Sequence, residues 1–586
     1  MKVHPFSPER RIGHIYQVEG SFADVTFSAA NKLPRAHFGE YLGRGEVGQF
    51  VLIDVGGVAT FGRLLRVGTP PGRAEDLQGE ATRKVPVEGR IQLLSTLELS
   101  GTSTRGIAKY PKVGDAVFAA SAEAILSVIG TAPGSITSTL RLGRLSVDDS
   151  VSVDVPLSRL FGRHLAIVGA TGSGKSWSLG HLAESVASLG GKMILIDATG
   201  EFRTLEDRAR HLAFGSTAGE PNGTVPVGIP HYMMRESDRN AFLNPSAGVQ
   251  LPKLREAVRT LRLARAVRSD AAPDQAHLDF IGNSPPVVKE GKPLASFHSA
   301  IQKYGAIVNA PQAGFNFKAL ADQVQCECIW PTGFGAKSSE FGGVNGNELG
   351  YVSSLVSRIS DLLQTAEVMD VIDPPSGVAN IIHEMESWVA DPDSHVLRIS
   401  LRNLTFANHL REIVVNILGQ TLLGWARMDR FRDVPLVVAV DEAHQFFDVT
   451  VGDEFASTHL NAFDSIAKEG RKYGLTVCLA TQRPGDLPAG VLSQVGMTIV
   501  HRLADGRDRQ RVEQAAAELD HSATKLLPGL VPGEAILMGV DFPVPVSVRI
   551  QKPVSPPASD GPDYEAWAPG GSDKSHRERS VPSSAN

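Results

Sequence analysis

His164-Leu165-Ala166-Ile167-Val168-Gly169-Ala170-Thr171-Gly172-Ser173-Gly174-Lys175-Ser176 is the stretch that decides the fold. Its first five residues have the character of a short buried strand. The next eight fit the pattern G-x-x-x-x-G-K-[ST], and Lys175 to Leu189 has helical spacing, with Leu179, Leu182 and Val186 on one face. Met193 to Asp197 reads as the following strand. Strand, glycine loop, helix and strand in that order predict a parallel sheet with helices on both faces. The loop chemistry follows from its residue types. Gly169, Ala170, Thr171, Gly172, Ser173 and Gly174 present backbone N–H groups to a β-phosphate, and the helix N-terminus adds partial positive charge. Lys175 reaches the β- and γ-phosphates, and the Ser176 hydroxyl offers a Mg²⁺ ligand. The expected ligands are ATP and Mg²⁺.

Downstream, Leu436 to Val440 is an apolar strand that ends in Asp441-Glu442-Ala443-His444. A carboxylate at a strand's C-terminal end can hold Mg²⁺, and a second one beside it can polarise the attacking water. Asp441 is the expected Mg²⁺ partner and Glu442 the expected general base. The letters Asp-Glu-Ala-His also suggest a DEAH-box RNA helicase. Lys175 and Glu442, however, lie 267 positions apart, too far for one lobe of a two-lobed helicase. Leu475 to Ala480 is another strand and leads into Thr481-Gln482-Arg483-Pro484. Gln482 at its tip suits a sensor of the γ-phosphate or the attacking water. A turn residue capping its own backbone is the plainer alternative.

Outward from this site the chain divides. Residues 1–150 carry short strands such as Ile12 to Val18, Phe50 to Ile53 and Ala116 to Ala119, broken by Gly, Pro and Asp, as in a small barrel or sandwich. This module holds 17 Lys/Arg and 15 Asp/Glu, a balance that suits docking better than gripping a polyanion. Residues 151–205 and 395–550 form the α/β domain, and 206–394 read as a mainly helical insertion. Residues 551–586, rich in Pro, Ser, Gly and charge, read as a flexible tail. The 586-residue chain has 58 Lys/Arg, 64 Asp/Glu, a net charge of −6 and 3 Cys. A generally basic protein and a disulfide scaffold are excluded, and a reducing cytoplasm is the expected location. Met1 to Phe6 lacks the apolar run of a signal peptide. No run long enough to span a membrane occurs.

The ordered set, Arg163 to Ser176, Asp197-Ala198-Thr199-Gly200-Glu201-Phe202, Asp441 to His444, Glu469-Gly470-Arg471-Lys472-Tyr473-Gly474 and Thr481 to Pro484, resembles the HerA branch of the HerA/FtsK hexameric motor ATPases. The resemblance covers about residues 10–205 and 395–550. It implies a RecA-like motor domain behind a small β-barrel, a homo-hexameric ring and duplex DNA passing through the central channel. It also implies a partner, either a NurA-like nuclease or another effector such as a sirtuin-like enzyme, in DNA end processing or anti-phage defence. A nucleotide-gated scaffold that activates an effector without sustained translocation is the alternative. A conjugation-type ring is disfavoured by the lack of a membrane segment.

One phosphate loop and one acid pair leave transition-state charge without a second cation, which an arginine supplied in trans would offset. Arg471 is the first candidate and Arg163, which matches an arginine of the family pattern, the second. Surface ion pairing is the plain reading of both. Leu251 to Ser269 carries Lys253, Arg255, Arg259, Arg262, Arg265 and Arg268 against Glu256 alone, with Arg255, Arg259 and Arg262 sharing a face. This row would suit DNA phosphates, though a solvated helix face is commoner. The loop around Lys337 is a weaker channel candidate. Cys326 and Cys328 are expected on one face of a strand and without a metal. Glu201 is expected either to orient water or a cation near the nucleotide or to be a solvated loop acid, and His444 only to position the helix after the acid pair.

Overall fold

The computed structural model describes residues 6–559 apart from 28–35, 38–39, 42–44, 70–86, 99–102, 130–137, 147, 453–456, 516–520 and 541–543. The first module is a closed six-stranded barrel. Its strands run in the order Phe22–Phe27, Arg11–Glu19, Ala116–Ala119, Phe50–Asp54, Val58–Gly68 and Val87–Glu98. The last pairs antiparallel with the first, from Phe22 opposite Gln92 to Phe27 opposite Val87. Closure removes the free sheet edges. Alternate residues point inward, so Ile15, Val25, Val51, Ile53, Leu64, Ile91 and Val117 fill the interior.

The second module is built on a thirteen-stranded sheet. Nine neighbouring strands are parallel, in the order Val495–Val500, His164–Val168, Leu475–Thr481, Leu436–Val440, Lys192–Asp197, Val396–Ser400, Arg210–Phe214, Val225–Gly228 and Ala379–Asn380. Four antiparallel strands, Glu534–Met538, Val546–Ile550, Thr139–Leu145 and Asp148–Pro156, extend one edge. The central strands are buried at every position and mostly apolar because both faces are covered. Leu165, Ile167 and Leu195 pack with Leu179 and Leu182 of the helix Lys175–Ser188 and with barrel residues Phe50, Phe61 and Phe118. Ala166, Val168, Ile194 and Ile196 face the other layer, which includes the helix Leu410–Arg427. The expected RecA-like architecture with an N-terminal barrel is present.

Some segments lie elsewhere than their composition suggests. Residues 139–156, which straddle the expected boundary at 150, form a hairpin of the large sheet, because Leu140, Leu142, Val153 and Val155 bury into its core. Residues 206–394 are mainly helical, but they also supply three strands of that sheet. Cys326 ends the helix Leu320–Cys326, and Cys328 follows it. The expected Cys strand is therefore replaced by a helix end, and all three cysteines are free. No helix follows the acid pair directly. Ala443–Gln445 is a single 3₁₀ turn before a hairpin, Val449–Gly452 with Ser457–Leu460.

Residues 551–559 lie along the helix Lys175–Ser188. The Val554 and Ser555 N–H groups donate to Glu184 at 2.8 and 2.7 Å, and the Ala558 N–H donates to the Glu201 carbonyl at 2.8 Å. The rest of the expected tail, from residue 560, lies outside the described residues. Among the described residues no helix is long and apolar enough to cross a membrane.

Candidate nucleotide-binding site

The glycine loop spans from the C-terminal end of strand His164–Val168 to the N-terminus of the fourteen-residue helix Lys175–Ser188. Close packing explains two of its glycines. A Cβ on Gly169 would lie 2.6 Å from the His501 Cβ. Gly174 has φ 115°, and its Cβ would lie 3.1 Å from Gly533 Cα. A backbone N–H bond from Gly533 to the Ser173 carbonyl, 2.9 Å, ties the loop down from below.

The sheet order puts strand Leu475–Thr481 between the loop strand and the acid strand, so three groups converge at their C-terminal ends. Lys175 Nζ donates to Asp441 Oδ1 at 2.7 Å and to Glu442 Oε1 at 2.8 Å, and all three side chains are buried. Burial alone would depress the Lys175 ammonium, but the two carboxylates override it and hold it above its ordinary value. Burial pushes the Asp441 carboxyl up to about 6; Lys175 pulls against that, and the charges of Glu442 and Asp197 add to it. Gln482 bridges the site. Its Nε2 donates to Glu442 Oε1 at 2.7 Å, and its Oε1 accepts from the Thr171 hydroxyl of the glycine loop. Glu442 itself has φ 48°, a left-handed backbone unusual for a residue with a Cβ, which costs on the order of 1–3 kcal/mol and aims its carboxylate at Lys175.

Several functional neighbours carried little or no signal in the sequence. His444 Nδ1 lies 3.1 Å from Thr481 Oγ1 and 3.4 Å from Glu442 Oε2, so it touches the acid pair and the strand Leu475–Thr481 rather than orienting a helix. His501 joins the Ser178 hydroxyl at 2.7 Å to the Glu534 carbonyl at 2.8 Å directly beneath the loop. Asp197 accepts N–H bonds from Gly200 and Phe202 at 2.8 and 3.1 Å and the Arg398 guanidinium at 2.7 Å. Arg398, fully buried, also binds Glu220 at 2.6 Å, and Glu220 accepts from Ser400 Oγ at 2.7 Å. This network fixes the turn that presents Glu201, whose Oε2 is buried without a hydrogen bond. The only hint was a lone arginine in an apolar strand.

The two finger candidates lie away from the loop. Arg471 is exposed and precedes the seven-residue strand Leu475–Thr481, whose far end carries Gln482. At about 3.3 Å per residue that strand alone puts roughly 20 Å between them. Arg163, half-buried, precedes His164–Val168 at the same end of the sheet. Neither reaches the loop of its own chain.

The donor set fits Mg²⁺ and a triphosphate. Asp441 Oδ2 and Glu442 Oε2 are buried and make no hydrogen bond, since His444 Nδ1 is engaged with Thr481. Asp441 Oδ2, with the hydroxyl of Ser176 next to Lys175 in the chain, would supply hard oxygen ligands of the kind a magnesium ion takes, and Glu442 Oε2 is left free to accept a proton.

The HerA central-domain family model matches residues 140–278, and the HerA-like C-terminal model matches residues 431–559. Two stretches of this P-loop ATPase are therefore HerA-like. The DNA double-strand break repair helicase HerA of Sulfolobus acidocaldarius is 24% identical over 520 residues, 86% of this chain and 88% of that protein. A probable DNA double-strand break repair helicase HerA of Methanocaldococcus jannaschii is 25% identical over 421 residues, 70% and 76% of the two chains. Solved structures give partial overlays of this chain. The bacterial conjugative coupling protein TrwB overlays with a TM-score of 0.40 at 15% identity, covering 71% of this chain and 91% of that one. VirB4 of Thermoanaerobacter pseudethanolicus gives 0.40 and 15%, covering 71% and 96%.

Proposed function

We propose that this HerA-like chain is an ATP-driven DNA translocase or helicase working as a homo-hexameric ring on duplex DNA in the cytoplasm. A NurA-like nuclease or another effector would use its output in end processing or defence. The observation that carries the reading is the convergence of Lys175, Asp441, Glu442 and Gln482 on one loop, in a chain whose relatives are named DNA repair helicases.

Glu442 takes the proton of the attacking water, which Gln482 orients while also holding Thr171. Lys175 moves its charge from the two carboxylates to the β- and γ-phosphates. Ser176 and Asp441 would hold Mg²⁺, whose charge would offset that of the phosphate oxygens. Because Gln482 connects the glycine loop to the base, loss of the γ-phosphate reaches strand Leu475–Thr481 and, through its start, Arg471. An arginine at that end serves the loop of a neighbouring copy, which makes a ring the economical assembly. Arg471 is the first choice for this role and Arg163 the second.

The test is ATP hydrolysis by the purified chain with and without linear duplex DNA. Stimulation by DNA, lost in Glu442→Gln, supports the motor. Hydrolysis indifferent to DNA, with no DNA binding, overturns it. Effector activation retained in Glu442→Gln with ATP bound would point to the scaffold instead.

A further inference from the structure

The arginine row of helix Gln250–Ser269 does not form an open DNA-facing stripe. Lys253 is paired with Glu256 and Glu348 at 3.2 and 3.1 Å, and Arg268 donates to the Gly282 carbonyl at 3.1 Å. Arg255, Arg259 and Arg262 instead turn toward the helix Glu236–Leu243, where Arg239 joins them around a cavity of about 210 Å³. Four arginines face one acid there, Glu236, whose Oε1 accepts from Arg255 Nε at 2.6 Å. Arg259 makes no hydrogen bond or ion pair among the described residues.

Arg262 donates only long bonds, 3.3 and 3.4 Å, to the Val308 and Pro311 carbonyls, and its Nε is buried without a partner. Arg239 spends one N–H on the Met234 carbonyl at 2.6 Å. Burial, followed by the charge of Arg262, depresses its guanidinium. The walls between the cations are apolar, with Leu243, Leu254, Val258, Val308 and Leu320.

We infer that this pocket binds a phosphomonoester. Converging guanidinium groups with spare N–H donors match the several oxygens and double charge of such a group, and a phosphate between them offsets their mutual repulsion. A continuous DNA backbone would need a row of free cations, whereas this geometry closes on one group. The cavity is smaller than a typical drug-sized site, which suits a phosphate with a small apolar or sugar-sized attachment. The source is either the terminal phosphate of a nucleic-acid strand or a small phosphorylated metabolite. The site shares no residue with the glycine loop.

The test uses the full-length chain carrying Lys175→Ala, so that the glycine loop does not compete. Inorganic phosphate, ribose 5-phosphate, and a duplex with or without 5′-phosphates are titrated by calorimetry at near-physiological salt. Saturable binding of one phosphate per chain is expected, at least tenfold weaker in Arg259→Ala and in Arg262→Gln. Arg259→Ala is exposed, should fold normally, and in the chain with Lys175 intact should leave basal ATP hydrolysis unchanged. Preference for the 5′-phosphorylated duplex over the unphosphorylated one identifies a strand end as the source. Tighter binding of ribose 5-phosphate identifies a metabolite. The inference is overturned if no phosphate probe saturates, or if both variants bind as well as their parent.

Discussion

Arg398→Met deletes the cation of a charge network that no solvent reaches. In the folded chain Arg398 bonds Asp197 at 2.7 Å and Glu220 at 2.6 Å, with all three side chains at 0% exposure. Methionine keeps most of the volume, so the loss is electrostatic rather than a cavity. Removing one partner of a buried pair costs about 3–5 kcal/mol, because the remaining charge stays buried without compensation. Asp197 retains two backbone N–H donors and Glu220 retains the Ser400 hydroxyl, which puts the expected cost near the lower bound. Thermal unfolding of the full chain should shift down by at least about 5 °C. Adding Glu220→Gln to Arg398→Met removes one uncompensated charge and should recover part of that shift. The variant should also lose ATP turnover, since Asp197 holds the Gly200 turn and Glu201. A shift under about 2 °C with normal turnover would refute the argument that this network organises the turn.

Glu442→Gln should bind ATP with little change in affinity while turnover falls by about 10²–10⁴, read in a filter-binding and hydrolysis pair. Gln482→Ala cuts the link between Thr171 and Glu442 and should lower turnover by roughly tenfold or more, with a smaller effect on ADP affinity. That is about the loss of one hydrogen bond to a charged group at the transition state. Burial depresses His501 to about 4 from an ordinary 6.5, so the unfolded chain takes up a proton that the folded chain refuses. Its stabilising contribution is therefore complete above pH 6.5 and is lost as pH falls toward 4, by about 2 kcal/mol between pH 7 and 5. Urea unfolding at both pH values should show this slope in the parent and not in His501→Asn.

The site was legible where one residue type has one use. The glycine spacing before Lys175 and the acids after an apolar strand fix a nucleotide site because backbone approach and metal chemistry admit few substitutes. Alternation inside the barrel and unbroken apolar runs in the motor sheet likewise carried the architecture. What escaped depends on long-range pairing. Nothing near Arg398 in sequence announces Asp197 or Glu220, and His501 follows the strand Val495–Val500 with no motif around it. The strand Thr139–Leu145 looked like barrel because strand pattern does not say which sheet a strand joins. The row of arginines was visible as helical spacing, but its closure into a pocket needed Arg239 from another helix. Sequence could name Arg471 and Arg163, yet only the sheet's direction puts both at the end opposite their own loop.

Complementation between two inactive chains tests the shared site most directly. Lys175→Ala lacks the phosphate contact, and a chain carrying both Arg163→Ala and Arg471→Ala lacks the candidate trans cations. Each alone should be inactive, and mixing them in equal amounts should restore measurable ATP turnover at seams that pair an intact loop with an intact arginine. Full turnover by the double-arginine variant alone, or no recovery in mixed assemblies, would contradict hydrolysis at a site completed by a neighbouring copy.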